Sequence, residues 1–285
     1  MLETLHRTGS RIRNSALLRR QTWLWRRVEP LWNGLFERAS TKHGYLTHLN
    51  GDEFRLTYEY AARYDRADRA DRGIYEPIFY SAFARETRPG MQVLDVGGHV
   101  GFFALAAALR TGPSGHVHVF EPTPETVRIL ERHIKLNGWE DRVTVFPGVM
   151  ADKDGEMTFY THGTSMASSL SRANTVDLNP ERPKQAESLT VPAITLDSYC
   201  HSNDIRPDVI KIDVEGAELL VLQGGRAVLG SCKPVILCEV HTRHLANCGG
   251  SPQQFERFVD ELGYVTDPLD TPNQNGIYHT VLRRR

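Results

Sequence analysis

Apolar positions along the chain fall into short runs of strand type alternating with longer stretches of helical spacing. Met91–Val96 is a short apolar run with β-branched residues, the pattern of a buried strand. Phe102–Arg110 is apolar and alanine-rich, and it predicts a helix stopped by Gly112 and Pro113. His116–Glu121 predicts a second strand. Thr123-Pro-Glu then opens a helix whose Val127, Leu130 and Ile134 share a face and which Gly138 closes. Arg142–Phe146 predicts a third strand, and Glu156–Tyr160 and Leu189–Ile194 two more. Asp208–Asp213 is a strongly β-branched strand followed by a helix through Leu229. Val235–Val240, the helix Gln253–Leu262, and the strands Tyr264–Thr266 and Ile277–Arg283 complete the series. Strand and helix alternate throughout, so an α/β fold is expected, a mostly parallel sheet with helices on both faces and a last strand pair compatible with an antiparallel edge.

The first part of the chain reads differently. Residues 1–40 hold eight arginines against three glutamates, and Leu24, Val28, Leu31 and Leu35 recur at helical spacing. This predicts an amphipathic helical segment, either packed with a solvated arginine face or meeting a membrane or carrier protein. Thr41–Tyr60 predicts a small hairpin, Ala61–Arg72 a solvated helix or loop, and Tyr75–Ala84 a helix leading into the first buried strand. The expected division is a helical and hairpin extension over 1–74 and a main domain over 75–285. The Ser/Thr/Asn-rich stretch Thr161–Arg182 is a long irregular segment, read as a mobile lid, a substrate loop or a disordered insert.

Composition changes this picture little. The chain has 285 residues, 40% of them hydrophobic, and a formal net charge of −1, which gives no general attraction to nucleic acid or an anionic membrane. No apolar run approaches the roughly 20 residues of a membrane span, and no signal-peptide core is evident, so a cytoplasmic protein is expected. Cys200, Cys232, Cys238 and Cys248 lack the paired spacing of a zinc site and read as reduced thiols.

Candidate chemistry begins where the first buried strand ends. Asp95-Val-Gly-Gly-His-Val-Gly101 places three glycines in a strand-to-helix turn, where the backbone can approach a ligand and the helix start offers free N–H groups. The spacing is D-x-G-x-x-x-G, not the dinucleotide G-x-G-x-x-G, which disfavours a nicotinamide enzyme. An ordinary tight turn remains open at this point. Glu121, 26 residues after Asp95, ends the second strand, where an acid can accept from ribose hydroxyls.

Three separated segments, LDVGGHVGFFAL, VFEPTPETVRILERHIKLNG and IKIDVEGAELLVLQGG followed by PVILCEVH, together resemble the FkbM-type family of class I S-adenosylmethionine-dependent methyltransferases over roughly residues 75–245. The resemblance implies a Rossmann-like fold with a seven-stranded, mostly parallel sheet. It also implies S-adenosylmethionine as donor and methylation of a hydroxyl on a sugar, glycan or natural product. By position it places Asp95, Gly97, Gly98, His99 and Gly101 along the methionine side of the cofactor, with Asp95 facing the ammonium. Glu121 falls on the ribose, and Met150 and Asp152 at the adenine. Gly98 stands where the family often has Ala, and His99 where it often has Asn.

In open α/β sheets the ligand crevice lies outside the carboxyl ends of the strands, and Asp95, Glu121, Asp213, Glu239 and His241 all fall there. Methyl transfer to an alcohol needs alignment and removal of the hydroxyl proton. His241 is the expected general base, because imidazole titrates near neutrality. Asp213, also placed beside the cofactor, is the alternative base, and Glu215 and Glu239 orient the acceptor or His241. Glu218 reads as a helix-start acid and His244 as ordinary surface. No metal is required by this reading; Mg²⁺ held by Asp213, Glu239 and His241 is the mechanistic rival. The expected partner is a small-molecule or glycan acceptor, free or lipid- or carrier-linked, and no nucleic acid is expected. The competing functions are a nucleic-acid methyltransferase, which lacks its Asn/Asp-Pro-Pro-aromatic motif here, and a non-catalytic methyltransferase-like interaction module.

Overall fold

The computed structural model describes residues 43–64, 73–164, 167–175 and 185–285, with single positions at 27, 31 and 34. The predicted N-terminal amphipathic segment lies outside the described residues. The chain forms two compact units, one running to Pro77 and taking in Arg132–Trp139, the other comprising Ile78–Glu131 and Glu140–Arg285.

In the smaller unit, strands β1 (Tyr45–Leu49) and β2 (Asp52–Leu56) form an antiparallel hairpin with Leu49 paired to Asp52. Asn50 and Gly51 make the turn at φ 48° and 92°, the left-handed pair whose twist suits a two-residue hairpin. Helix α1 (Tyr58–Tyr64) follows, and the Tyr58 ring lies 5.4 Å from that of Tyr45. Asn137 closes the unit by accepting from Arg55 N (2.7 Å) and donating to Arg55 O (2.8 Å), so one side-chain amide satisfies both backbone groups of a strand residue.

The larger unit holds a sheet of β3 (Gln92–Val96), β4 (His116–Phe120), β5 (Val143–Phe146), β9 (Val209–Ile212), β10 (Val235–His241), β11 (Tyr264–Pro268) and β12 (Ile277–Arg284). Its order is β11-β12-β10-β9-β3-β4-β5, with β5, β4, β3, β9 and β10 parallel. Helices α2 (Pro77–Glu86), α3 (Phe102–Thr111), α4 (Pro124–Asn137), α5 (Leu196–Ser202), α6 (Glu218–Gln223), α7 (Arg226–Ser231) and α8 (Pro252–Glu261) accompany it. This is the seven-stranded, Rossmann-like class I methyltransferase fold. The parallel strands read as continuous apolar runs because both their faces are covered: Val93, Leu94, Val96, Val117, Val119, Ile210 and Ile212 are all buried.

Three features differ from the sequence reading. The last strand pair does form an antiparallel edge, but out of chain order: β12 inserts between β10 and β11, pairing antiparallel with both. The strands β7 (Gly155–Thr161) and β8 (Glu187–Ile194) join β6 (Val149–Met150) in a separate three-stranded sheet around Val149, Phe159, Val191 and Ala193. The helix expected through Leu229 is two helices broken at Gly224-Gly225, a pair of poor helix formers. All four cysteines are free, Cys200 and Cys238 buried, as expected of reduced thiols. No helix among the described residues is long and apolar enough to cross a membrane.

Candidate active site

The site begins with the register of the central strands. Asp95 on β3 pairs directly with Lys211 on β9, so both side chains stand on one face of the sheet. Asp213 lies two residues beyond Lys211, and alternation returns it to that face. Leu237 pairs with Lys211, so Glu239 and His241, two and four residues later, follow onto the same face. Glu239 in turn pairs with His279 of β12. The register of four strands thus gathers one line of charged side chains, interleaved with the apolar residues that fill the other face.

Lys211 is the first residue that sequence reasoning passed over. Its side chain is 3% exposed, and Nζ lies 3.3 Å from Asp95 Oδ1 and 3.4 Å from Asp213 Oδ2. Nζ also donates to the Gly97 carbonyl (2.9 Å) and sits 5.2 Å from the centre of the Phe103 ring. A buried ammonium is tolerable only with such partners. The alternation Lys211-Ile-Asp213 was the available signal: a lysine inside an apolar strand, on the face of an acid. Asp95, on that face, is fully buried and its charge is met by Lys211, so it supports the turn from behind.

The turn itself is made of close approaches. Gly97 and Gly98 N–H both donate to Phe120 O (3.0 and 3.1 Å), fixing the end of β3 to the end of β4. Gly97 has φ 82°, and a Cβ there would lie 1.8 Å from the Asp213 carbonyl oxygen. A Cβ at Gly98 would meet Val119 Cγ1 at 2.1 Å, which explains why glycine stands where the family often has Ala. His99 is left-handed too, at φ 47°. Its N–H donates to Glu121 Oε2 (3.0 Å), and its ring Nε2 donates to Thr164 O (3.2 Å). Glu121 Oε1 accepts from Thr123 N (2.9 Å). Burial pushes the Glu121 carboxyl up, against these two backbone donors. Gly101 N donates to Gly98 O (2.9 Å), and α3 starts immediately after. Met150 is buried in the main core and Asp152 is exposed in the turn that follows it.

At the ends of β9 and β10 the charges crowd. His241 is 1% exposed; its Nδ1 donates to Glu218 Oε1 (2.8 Å), while Nε2 faces Glu239 Oε1 at 3.2 Å and Glu215 Oε2 at 3.3 Å. Burial disfavours charge on this ring, but the carboxylates of Glu218 and Glu239 outweigh it and push the pKa up to about 12. Burial likewise works to raise Glu239, but the imidazoles of His241 and His279 hold it well below the usual carboxylate range. His279 Nε2 donates to Glu239 Oε2 (2.9 Å) and Nδ1 to Asp270 Oδ2 (2.6 Å).

Two sequence readings change here. Glu218 does start a helix, but it is more than a helix-start acid: it is fully buried, accepts from Gly216 N (2.9 Å) and orients His241. His244 is not ordinary surface: its ring stacks on His241 at 5.3 Å and 10°, with Nδ1 3.2 Å from Glu215 Oε2. His279 and Asp270 were not legible at all, because only the β10–β12 register brings them to Glu239. Asn174, in the Ser/Thr/Asn-rich stretch, is also part of the site. It is buried and donates to Glu215 O (3.0 Å) and His244 O (3.1 Å), while Ser169 Oγ donates to Glu215 O (2.9 Å).

The residues present fit S-adenosylmethionine. Glu121 offers a buried hydroxyl acceptor, the two close-packed glycines leave the turn without side chains, and the surrounding charges of Glu121, Asp213 and Glu239 suit a cationic sulfonium. Comparison with known proteins agrees. The family model described as "Methyltransferase FkbM domain" matches residues 95–266. The chain is 28% identical over 177 residues to hexuronic acid methyltransferase AglP of Haloferax volcanii, covering 61% of this chain and 63% of that protein. It is 28% identical over 205 residues to 31-O-demethyl-FK506 methyltransferase FkbM of Streptomyces tacrolimicus, covering 63% and 71% respectively. The solved methyltransferase FkbM of Methylobacillus flagellatus superposes with a TM-score of 0.44 and 16% identity, over 70% of this chain and 50% of that one. Matches to protein-L-isoaspartate O-methyltransferases span only 29% and 24% of those relatives' lengths.

Proposed function

The chain belongs to the methyltransferase FkbM family, and on that footing we propose that it transfers a methyl group from S-adenosylmethionine to a hydroxyl of a sugar, glycan or natural product. The observation that carries this reading is the juxtaposition of the glycine turn with Asp213: the Gly97 backbone and the Asp213 carbonyl are packed so closely that no side chain fits between them. A donor cradle and an acid thereby share one edge of the sheet.

When bound, S-adenosylmethionine supplies an activated methyl group, whose carbon–sulfur bond breaks as the new carbon–oxygen bond forms, leaving S-adenosylhomocysteine. The chain's own residues do the rest. The Gly97–Gly101 backbone and His99 line the methionine side, Glu121 accepts from the ribose, and the exposed turn at Asp152 borders the adenine. The acceptor's proton goes to Asp213, whose side chain is 24% exposed. The sequence reading put His241 in this role. Its burial and its ties to three carboxylates make it a positioning residue, which holds Glu215 and Glu239 at the mouth of the site. Asp95 and Lys211 act through Asp213 and the turn: the lysine, lying between the two carboxylates, holds both in place. Relatives named for a hexuronic acid and for 31-O-demethyl-FK506 support a hydroxylated acceptor.

Calorimetric titration with S-adenosylhomocysteine, beside Glu121→Ala, tests the donor site. Binding by the wild type and its loss in the variant are expected. A folded wild type that does not bind would sink the reading. With hydroxylated acceptors in hand, Asp213→Asn is expected to lower kcat by about 10²–10³-fold with little change in KM.

A further inference from the structure

Beside Asp213 lies a second constellation, to which methyl transfer as just described gives no more than a positioning role. We propose that Glu215, His241 and His244, with Glu239, form a binding site for a divalent first-row transition-metal cation.

The argument starts from His241 Nε2. This atom is buried, it faces Glu239 Oε1 at 3.2 Å and Glu215 Oε2 at 3.3 Å, and neither contact has hydrogen-bond geometry. His244 Nδ1 is likewise buried without a hydrogen-bond partner, 3.2 Å from the same Glu215 oxygen. One donor atom each from Glu215, His241 and His244 falls within 4.8 Å of the others. Ligands at right angles around an ion, each about 2.1 Å from it, stand about 3 Å apart. A proton on Nε2 would satisfy one acceptor along one line. Acceptors converging from several directions suit a cation placed among them.

The surroundings have the form of an outer shell. A metal-bound imidazole characteristically donates its other N–H to a carboxylate, and His241 Nδ1 donates to the buried Glu218. Glu239 presents Oε1 to the cluster while Oε2 is held by His279, itself held by Asp270. Glu215 is in the left-handed region at φ 52°, a conformation that costs energy in a non-glycine residue. Ser169 and Asn174 hold its carbonyl there, and the same Asn174 amide holds the His244 carbonyl. One buried side chain thus ties together the backbones that deliver two of the ligands.

Two imidazoles with two carboxylates favour Mn²⁺, Fe²⁺ or Zn²⁺ over Mg²⁺ and Ca²⁺, which prefer oxygen alone. The binding site stands on its own geometry. Its use, polarising the acceptor hydroxyl so that Asp213 can take the proton, rests on the methyl-transfer reading.

The test uses the full chain stripped with chelator and titrated with Mn²⁺, followed by electron paramagnetic resonance. One ion per chain is expected, with coupling to histidine nitrogen in the wild-type spectrum, a readout that needs no variant. Glu215→Gln and His244→Gln, both partly exposed, should weaken binding at least about tenfold while circular dichroism and the melting curve show a native fold. Zn²⁺ should displace Mn²⁺ and equimolar Mg²⁺ should not. A folded wild type that takes up neither Mn²⁺ nor Zn²⁺, a bound ion without nitrogen coupling, or displacement by equimolar Mg²⁺ would overturn the proposal. S-adenosylhomocysteine titrated in parallel reports the donor site separately, so a failure there, with Mn²⁺ still bound, counts against the methyl-transfer reading alone.

Discussion

The glycine turn after β3 and the charged cluster after β9 and β10 share one edge of one sheet and are built in opposite ways. The turn is backbone: Gly97, Gly98 and Gly101 donate to carbonyls of β4 and of the turn itself, and what shapes it is the absence of side chains. The cluster is side chain: Asp213, Glu215, Glu218, Glu239, His241, His244 and His279 come from five different elements and hold one another by charge. The first tolerates almost no added volume. The second tolerates no unbalanced charge. That contrast predicts different responses to substitution.

The largest effect is expected where the two regions touch. Gly97→Ala adds a methyl 1.8 Å from the Asp213 carbonyl at a positive φ. Conformational strain and overpacking together should cost about 4–6 kcal/mol, read by urea denaturation. A loss below about 1 kcal/mol would mean that the turn is looser than its contacts imply. Lys211→Met comes next. It keeps the volume and removes the cation between Asp95 and Asp213, taking the counter-charge from the buried Asp95 carboxylate at a cost of about 3–5 kcal/mol. Adding Asp95→Asn to the Met variant should recover part of that loss, which overpacking at Gly97 would not allow.

Smaller effects separate binding from stability. Glu121→Gln keeps one acceptor oxygen but cannot accept from both His99 N and Thr123 N, so S-adenosylhomocysteine should bind about tenfold more weakly with the fold intact. Unchanged affinity would remove Glu121 from the donor site. The smallest effect lies away from both regions and serves as a control. His118 accepts from the Tyr199 hydroxyl at Nδ1 (3.1 Å), and burial lowers its pKa from 6.5 to about 4. Unfolding frees the ring to bind a proton at its ordinary value, so between 4 and 6.5 the unfolded chain holds more protons. This contribution is fully present above 6.5 and is lost as the pH falls through that window. From about pH 7 to about pH 5 the wild type should lose about 1–2 kcal/mol more than His118→Gln, measured by denaturation at each pH. An equal loss in both would assign the acid sensitivity elsewhere.

Most of the fold was legible because it rests on short-range pattern. The strands β3, β4, β5, β9 and β10 announced themselves as β-branched apolar runs, and the helices between them by spacing and by glycine or proline at their ends. The hairpin within Thr41–Tyr60 followed from its short alternating pieces, and the structure puts its turn at Asn50-Gly51. The place of β12 did not, since nothing local in Ile277–Arg284 says that it inserts between β10 and β11. The same limit applied to the site. Glu121 and the glycines could be named from order along the chain, whereas Glu218 read as a helix-start acid, His244 as surface, Asn174 as part of an irregular stretch and His279 only as a strand residue until the structure showed their partners.

The sequence by itself determined the αβ alternation, the glycine turn and the acids at the strand ends, because each depends on neighbours a few residues away. Only the tertiary structure decided the state and partners of those acids. Register set Lys211 against Asp95 and His279 against Glu239, and a buried amide drew the Glu215 and His244 backbones together. A charge buried away from water takes its protonation and its role from whatever lies within a few ångströms, and for His241 those neighbours are separated from it along the chain by as many as 26 residues, at Glu215.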